Sequence, residues 1–263
     1  GVDGISANYE DVPTAAGVRS MLVVEPDSLR DAPAGTTVPL VVVLHGLDSD
    51  AEIMAKITSM AAESAVKGFV AAFGVGLDES WNAGSCCGPS AATGVDDVAY
   101  VRSLILTLEA SYPVDRSKVF LLGYSNGGMM AYRLLCESPE LVTSFASVAG
   151  TNTSGCRPTV PRPFLQMSGD DDPIVPVEGS ETATIPGVGP TPPVRASVAQ
   201  IAEAFDCPAS RRARIGPVTE RRWGPCRDDV SVVFDIVDGA GHGWSIGPPF
   251  STTQRVLQFW GLV

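Results

Sequence analysis

The sequence has few residues that could hold a metal ion. It contains only two histidines, His45 and His242, and its six cysteines form no pair of Cys-x-x-Cys motifs. Structural zinc sites are usually built from four histidine or cysteine ligands at short spacings. We therefore expect no metal site, and no other motif in the sequence indicates a cofactor.

Positive charge and long apolar runs are also scarce. Acidic residues outnumber lysine and arginine by 30 to 18, which gives a net charge of −12 at pH 7. This charge argues against a nucleic acid or an anionic membrane surface as partner. No apolar run approaches the length of a membrane span, and the polar start at Gly1 lacks the pattern of a signal peptide. We expect a monomer that acts on neutral material and is either cytoplasmic or an already trimmed mature form.

The residues that are present favour a single α/β domain covering 1–263. Hydrophobic residues make up 44% of the chain and charged residues 18%, which is enough apolar material for a sizeable core. Apolar segments typical of buried strands alternate with segments of helical spacing, which predicts a mostly parallel sheet with helices on both faces. The predicted strands are 38–44, 69–73, 118–123, 145–148, 163–167 and 230–237, with an edge hairpin from 6–9 and 18–24; the predicted helices are 51–67, 95–108, 126–137, 196–205 and 250–260.

The even number of cysteines is compatible with disulfide bonds. Cys207 and Cys226 have polar neighbours and lie close together in the chain, so we predict that they pair with each other. The spacing leaves the other pairings open. The alternative is that all six are reduced thiols in a cytosolic protein.

A candidate nucleophile lies in the segment Gly123-Tyr124-Ser125-Asn126-Gly127, which matches the pattern G-x-S-x-G. The motif follows the predicted strand 118–123 and opens the predicted helix 126–137, as a nucleophile elbow requires. A second match at 243–247, centred on Ser245, is followed by two prolines that prevent an immediate helix. The context therefore favours Ser125 over Ser245.

A serine nucleophile needs a base and an acid that orients the base. The chain order expected for this architecture is serine, acid, histidine, and His242 is the histidine that follows Ser125. The acid should follow the predicted strand 163–167, where Asp170, Asp171 and Asp172 stand in a row. The residues themselves favour Asp172, because Pro173 fixes the backbone after it, and leave Asp171 as the alternative.

The turn after strand 38–44 is the expected source of an oxyanion donor. We predict that the backbone N–H groups of Leu47 and Asn126 bind the oxyanion, and that His45 braces the turn. The alternative is a plain strand-to-helix turn around a buried histidine.

Two loops rich in glycine and small polar residues, 79–93 and 178–193, follow predicted strand ends. Open α/β sheets bind ligands at such positions, so these loops either shape the substrate pocket or are solvated connections. Trp81 and Trp244 could form an apolar wall beside the nucleophile, or could be core residues.

Six short motifs, in this order, resemble the secreted esterase family that includes poly(3-hydroxybutyrate) depolymerases and bacterial feruloyl esterases. The resemblance implies an α/β-hydrolase without a metal, with nucleophile Ser125, base His242 and acid Asp172. It also implies that Trp81 and Asn82 line the cleft, and that the protein is secreted and disulfide-bonded. The motifs are LHG at 44–46, WNAG at 81–84 with CC at 86–87, VDDV at 95–98, GYSNGGMMAY at 123–132, DPIVP at 172–176 and GHGW at 241–244.

Together these features predict a serine carboxylesterase that works through an acyl-enzyme. Its substrates would be hydroxyalkanoate or other polyester oligomers, or feruloyl and other acyl esters. Two alternatives are an acyltransferase that uses the same three residues, and a non-catalytic ligand-binding domain on a hydrolase scaffold.

Overall fold

The computed structural model describes residues 5–30, 32–245 and 249–263. Over these ranges, ten strands form one continuous sheet in the order β1-β2-β4-β3-β5-β6-β7-β10-β9-β8. The six central strands, β4, β3, β5, β6, β7 and β10, are parallel to one another. Two antiparallel strands extend the sheet at each edge, β2 and β1 beside β4, and β9 and β8 beside β10. The strands are β1 Asn8–Thr14, β2 Gly17–Val24, β3 Val38–Leu44, β4 Val70–Gly74, β5 Val114–Tyr124, β6 Ser144–Val148, β7 Phe164–Gly169, β8 Arg211–Ile215, β9 Val218–Trp223 and β10 Val232–Val237.

Helices cover both faces of the sheet. Alternate side chains of β3 belong to two separate core clusters, one on each face, because successive residues of a strand point in opposite directions. Helices α4, α5 and α6 contribute to the first cluster, and α1, α2 and α7 to the second. The helices are α1 Ala51–Ile57, α2 Met60–Lys67, α3 Gly88–Thr93, α4 Asp97–Ser111, α5 Asn126–Glu137, α6 Val194–Ala204 and α7 Thr252–Phe259.

The predicted α/β-hydrolase layout is confirmed, with local corrections. The segment predicted as one helix, 51–67, is two helices. The Thr58 hydroxyl donates to the carbonyl of Met54 at 2.6 Å, and Ser59 adopts a left-handed backbone with φ of 55°. Side-chain bonding back to the previous turn competes with helix continuation, so the chain changes direction here.

The hairpin β8–β9 was not predicted. Every residue of β8 is exposed, so the strand lacks the alternation of buried and exposed positions that identifies a half-buried strand. At the other edge, β1 begins at Asn8 and extends to Thr14, beyond the predicted 6–9.

Three disulfide bonds join the six cysteines. The predicted pair Cys207–Cys226 is confirmed, and the others are Cys86–Cys87 and Cys136–Cys156. The Cys207–Cys226 bond ties the segment after α6 to the segment that follows β9. Within the described ranges, no helix has both the length and the apolar content that a membrane span requires.

We expect the paired change Cys207→Ser with Cys226→Ser to lower the free energy of unfolding. The bond closes a loop with a sequence separation of 19. Constraining a loop of this length in the unfolded chain stabilises the protein by about 3 kcal/mol in the chain-entropy model. Denaturant unfolding without reductant measures the loss, with the wild type as control; equal unfolding free energies would contradict the expectation.

Candidate active site

Ser125 occupies a sharp turn between β5 and α5. Its backbone lies in the left-handed region, with φ of 54° and ψ of −116°, a conformation that costs energy for a residue other than glycine. The flanking glycines permit the turn, because a Cβ atom on Gly123 would lie 2.0 Å from the carbonyl oxygen of Gly127. The strand, turn and helix predicted from the motif are therefore present.

The side chains of Ser125, His242 and Asp172 form one chain of hydrogen bonds. The distance from Ser125 Oγ to His242 Nε2 is 2.8 Å, and that from His242 Nδ1 to Asp172 Oδ2 is 2.7 Å. The other carboxylate oxygen, Asp172 Oδ1, accepts the backbone N–H groups of Ile174 at 2.8 Å and Val175 at 2.9 Å. Since a carboxylate can only accept, His242 carries its proton on Nδ1 and leaves Nε2 free to accept the serine hydroxyl.

The three consecutive aspartates differ in their contacts. Asp172 is buried and bonds to the imidazole, whereas Asp170 and Asp171 are exposed. Asp170 accepts the backbone N–H of Gly239 at 2.6 Å, and the backbone N–H of Asp171 donates to the carbonyl of Ala240 at 3.0 Å. These two aspartates therefore join the acid-bearing loop to the histidine-bearing loop.

Tyr124 is a site residue that the sequence analysis missed. Its hydroxyl donates to the backbone carbonyl of His242 at 2.7 Å, and its ring centroid lies 5.5 Å from the imidazole. Burial, together with the nearby charge of Asp172, raises the pKa of Tyr124 to about 12, so the hydroxyl keeps its proton. The sequence feature that could have identified Tyr124 is its position directly before Ser125 in the motif.

Two backbone N–H groups beside Ser125, those of Leu47 and Asn126, have no acceptor among the described residues. Asn126 is the first residue of α5, and the first N–H groups of a helix have no acceptor within it. The loop carrying Leu47 also runs next to the serine, since a Cβ on Gly46 would lie 3.3 Å from Ser125 Cβ. No acceptor for the Leu47 N–H occurs among the residues that the structure describes.

His45 braces the turn after β3, as predicted. Its Nε2 accepts the N–H of Gly76 at 2.9 Å, so its Nδ1 carries the proton that bonds to the carbonyl of Gly46 at 2.7 Å. Burial lowers the pKa of His45. The ring is therefore a neutral structural element that connects two loops.

Trp81 does not line an open cleft, which corrects the reading drawn from the resemblance. Its side chain is fully buried, and its indole N–H donates to the carbonyl of His45 at 2.9 Å. The side chain of Asn126 bonds to both the backbone N–H and the carbonyl of Trp81, at 2.7 and 3.0 Å. Trp81 therefore anchors the loop 79–93 to the first turn of α5.

The side chain of Asn82 forms hydrogen bonds within the same loop and to the residues that follow it. Its amide nitrogen donates to the carbonyl of Val95 at 2.9 Å, and its amide oxygen accepts the N–H of Gly84 at 3.2 Å. Both groups of the side chain thus have partners within the protein, and the residue is placed to shape the loop.

Trp244 lies near the imidazole and is half-buried. Its ring meets that of Tyr124 edge-on, with centroids 6.0 Å apart, and its N–H donates to Thr253 Oγ1 at 3.0 Å. In the second G-x-S-x-G match, Ser245 is described, whereas Ile246 and Gly247 lie outside the described residues.

Both segments predicted as loops approach Leu47, although the end of the first, Gly88–Thr93, is the helix α3. A Cβ atom on Gly88 would lie 2.7 Å from Leu47 Cδ1, and one on Gly187 would lie 3.1 Å from Leu47 Cδ2. Loops 79–93 and 178–193 therefore meet beside the turn that passes Ser125. Among the described residues, no group of three or more histidines, cysteines and acids is arranged to hold a metal ion.

The neutral imidazole of His45 predicts a pH dependence of stability. Its pKa is lowered by burial from the ordinary value of 6.5, so the unfolded chain binds the proton more tightly. The stabilisation is complete above the unfolded pKa and is lost progressively as the pH falls below it. We expect the unfolding free energy to fall more steeply for the wild type than for His45→Gln between about pH 7.5 and pH 5.5. Denaturant titrations at each pH give the unfolding free energy of both proteins. Equal pH dependences would show that His45 is not the cause.

Comparisons with known proteins agree with this geometry. The family model for phospholipase/carboxylesterase proteins matches residues 31–185. "Putative esterase NocK" of Nocardia uniformis subsp. tsuyamanensis is 35% identical over 234 residues, covering 80% of this chain and 66% of NocK. Feruloyl esterase B of Piromyces equi is 23% identical over 189 residues, covering 66% of this chain and 34% of that protein. The chain therefore spans about a third to two thirds of these relatives.

The fold also matches a solved structure along its length. The acetyl xylan esterase of Aspergillus awamori superposes with a TM-score of 0.70 at 16% identity, covering 98% of this chain and all of that one. The predicted likeness to feruloyl esterases is confirmed, and that to poly(3-hydroxybutyrate) depolymerases stays a prediction. The chain belongs to the phospholipase/carboxylesterase family and has the α/β-hydrolase fold.

Proposed function

We propose that this protein is a serine carboxylesterase whose catalytic domain is the whole of 1–263. The observation that carries the proposal is the hydrogen-bonded series from Ser125 Oγ through His242 to Asp172, at 2.8 and 2.7 Å. A binding domain has no need of a hydroxyl, an imidazole and a buried carboxylate aligned in this way. Membership of the carboxylesterase family supports the same reaction.

Acylation begins when Ser125 Oγ attacks the carbonyl carbon of the ester. His242 Nε2 takes the hydroxyl proton, and Asp172 stabilises the imidazolium through the bond to Nδ1. When the tetrahedral intermediate collapses, His242 returns the proton to the departing alcohol and the acyl group stays on Ser125.

Deacylation repeats these steps with water as the nucleophile. His242 removes a proton from the water, and the second intermediate collapses to release the acid and restore the serine hydroxyl. The backbone N–H groups of Leu47 and Asn126 bind the oxyanion in both intermediates, helped by the positive end of α5. The cycle requires no metal or cofactor.

The proposed substrates are small or oligomeric esters with an acyl, feruloyl or hydroxyalkanoate group. Trp244 and Leu47 offer apolar surface near Ser125 for such groups. Asn82 and the buried Trp81 contribute indirectly, by positioning the loop 79–93. The names of the relatives, a feruloyl esterase among them, support a feruloyl ester as one candidate substrate.

The proposed location is extracellular or periplasmic. All six cysteines pair in disulfide bonds, which persist in oxidising compartments and are rare in the cytosol. We also propose that the protein acts as a monomer, without nucleic acid or membrane partners.

We expect Ser125→Ala to reduce hydrolysis of 4-nitrophenyl butyrate at least about a thousandfold, because it removes the nucleophile. Ser245→Ala is the matched control, since it changes the serine of the second motif and should leave kcat/KM near the wild-type value. Circular dichroism checks that both variants fold. Substantial activity in Ser125→Ala, or its loss in Ser245→Ala, would show that the wrong motif was chosen.

The two neighbouring aspartates provide a second test. Asp172→Asn places an amide against His242 Nδ1 and favours the wrong tautomer, so kcat should fall by about three to four orders of magnitude. Asp171→Asn, which alters an exposed side chain of the same loop, should change kcat little. The assignment fails if the two variants lose activity equally.

A further inference from the structure

The hairpin β8–β9 concentrates positive charge in an acidic protein. The twelve residues 211–222 contain five arginines and one glutamate, whereas the whole chain has a net charge of −12. None of these arginines has a part in the proposed ester hydrolysis. One explanation for these arginines is that charged side chains on an edge strand discourage pairing with other sheets. That effect requires only that the charge is exposed, and it does not explain why some of the arginines line a cavity.

A cavity of about 450 Å³ lies between this hairpin, the start of α6 and the ends of β7 and β10. Its lining includes Arg195, Arg212 and Arg221, together with the buried apolar residues Phe234 and Ile236. Small-molecule sites have volumes of roughly 300 to 1,000 Å³ and combine apolar walls with a few polar groups. The size and lining therefore suit a ligand of about one sugar unit that carries negative charge.

Two of the arginines face each other without an acid between them. Arg212 and Arg221 are directly opposed on β8 and β9, and like charges at such positions destabilise a sheet. Burial lowers the pKa of Arg221, as do the charges of Arg212 and Arg195. Arg221 donates to Ser210 Oγ at 2.8 Å, and neither opposed arginine forms a salt bridge with an acid in the part of the chain that the structure describes.

The acidic groups at the cavity are already engaged elsewhere. Asp238 pairs with Arg214, and Asp170 accepts the backbone N–H of Gly239 at 2.6 Å. Arg195 pairs with the exposed Glu178 at 2.5 Å. Asp170 keeps its negative charge in the lining, but none of these carboxylates forms a salt bridge with Arg212 or Arg221 among the described residues. A bound anion would relieve the repulsion between this opposed pair.

One end of the cavity, at Asp170 and Asp238, lies at the same edge of the sheet as the catalytic residues, whereas Arg212 and Arg221 lie level with Phe234 in β10. Asp170 in its lining follows β7 two positions before Asp172, and Asp238 follows β10 four positions before His242. The carboxyl ends of parallel strands form one edge. An oligosaccharide with an ester at Ser125 would have to run along this edge, past β6 and β7, to reach the cavity.

We propose that this cavity is an accessory subsite for an acidic sugar, whose carboxylate is bound by Arg212 and Arg221. The planar guanidinium fork matches a carboxylate bidentately. This inference rests on the proposed function and names its substrate class: esters carried on polysaccharides that contain uronic acids.

The binding test uses calorimetry with D-glucuronate and, separately, inorganic phosphate at low ionic strength. Arg212→Gln should weaken glucuronate binding about ten- to a hundredfold, because it removes a charged hydrogen-bond donor. Arg221→Lys should also weaken it, since lysine keeps the charge but lacks the fork. Arg211→Gln is the matched control: it removes the same charge from the neighbouring position, whose side chain points to the other face of β8.

Three results would overturn the subsite: no glucuronate binding by the wild type, phosphate binding without glucuronate binding, or equal losses in Arg211→Gln and Arg212→Gln.

A kinetic experiment tests the same subsite. Arg212→Gln should raise KM for an acetylated xylo-oligosaccharide bearing glucuronate and leave hydrolysis of 4-nitrophenyl acetate unchanged. An unchanged KM would count against the subsite. An inactive wild type would instead contradict the esterase proposal, and the calorimetry would still decide whether the cavity binds the sugar.

Discussion

The left-handed backbone at Ser125 is the constraint on which the site depends. A residue with a side chain adopts φ of 54° here only because β5 and α5 are both buried and hold the turn from either side. The turn also needs glycine at 123 and 127, where any Cβ atom would meet the backbone of a neighbouring segment. Strain of this kind persists where the surrounding structure over-determines it, and it projects the serine hydroxyl away from the sheet.

Around this turn, the loops are fixed mainly by hydrogen bonds to backbone groups. Tyr124 bonds to the carbonyl of His242, and Asn126 bonds to both backbone groups of Trp81. Both residues flank Ser125 in the chain, so the motif positions the imidazole and the neighbouring loop as well as the nucleophile. Packing alone would hold these loops less specifically, since a hydrogen bond constrains direction as well as distance.

The charge distribution separates two parts of the molecule. Ser125 is hydrogen-bonded to His242, which is hydrogen-bonded to the buried Asp172, an arrangement that suits an uncharged ester group. The hairpin β8–β9 at the end of the same sheet carries Arg212 and Arg221, neither of which has an acidic partner among the described residues. Since the Cys207–Cys226 bond ties this hairpin to the segment after α6, the positive charge has a fixed place relative to the sheet.

The periodicity was enough to predict the parallel sheet, the bounds of α5 and the elbow at Ser125, because buried strands and elbow turns impose strong local patterns. The expected order of serine, acid and histidine pointed to His242, and the family resemblance supported Asp172 where the residues alone left Asp171 as an alternative. The hairpin β8–β9 was missed, since an exposed arginine-rich strand leaves no such pattern. The burial of Trp81 and the bond from Tyr124 to His242 were also beyond sequence reasoning. They depend on which loops meet in space, and only the packing of the complete chain brings together residues more than a hundred positions apart.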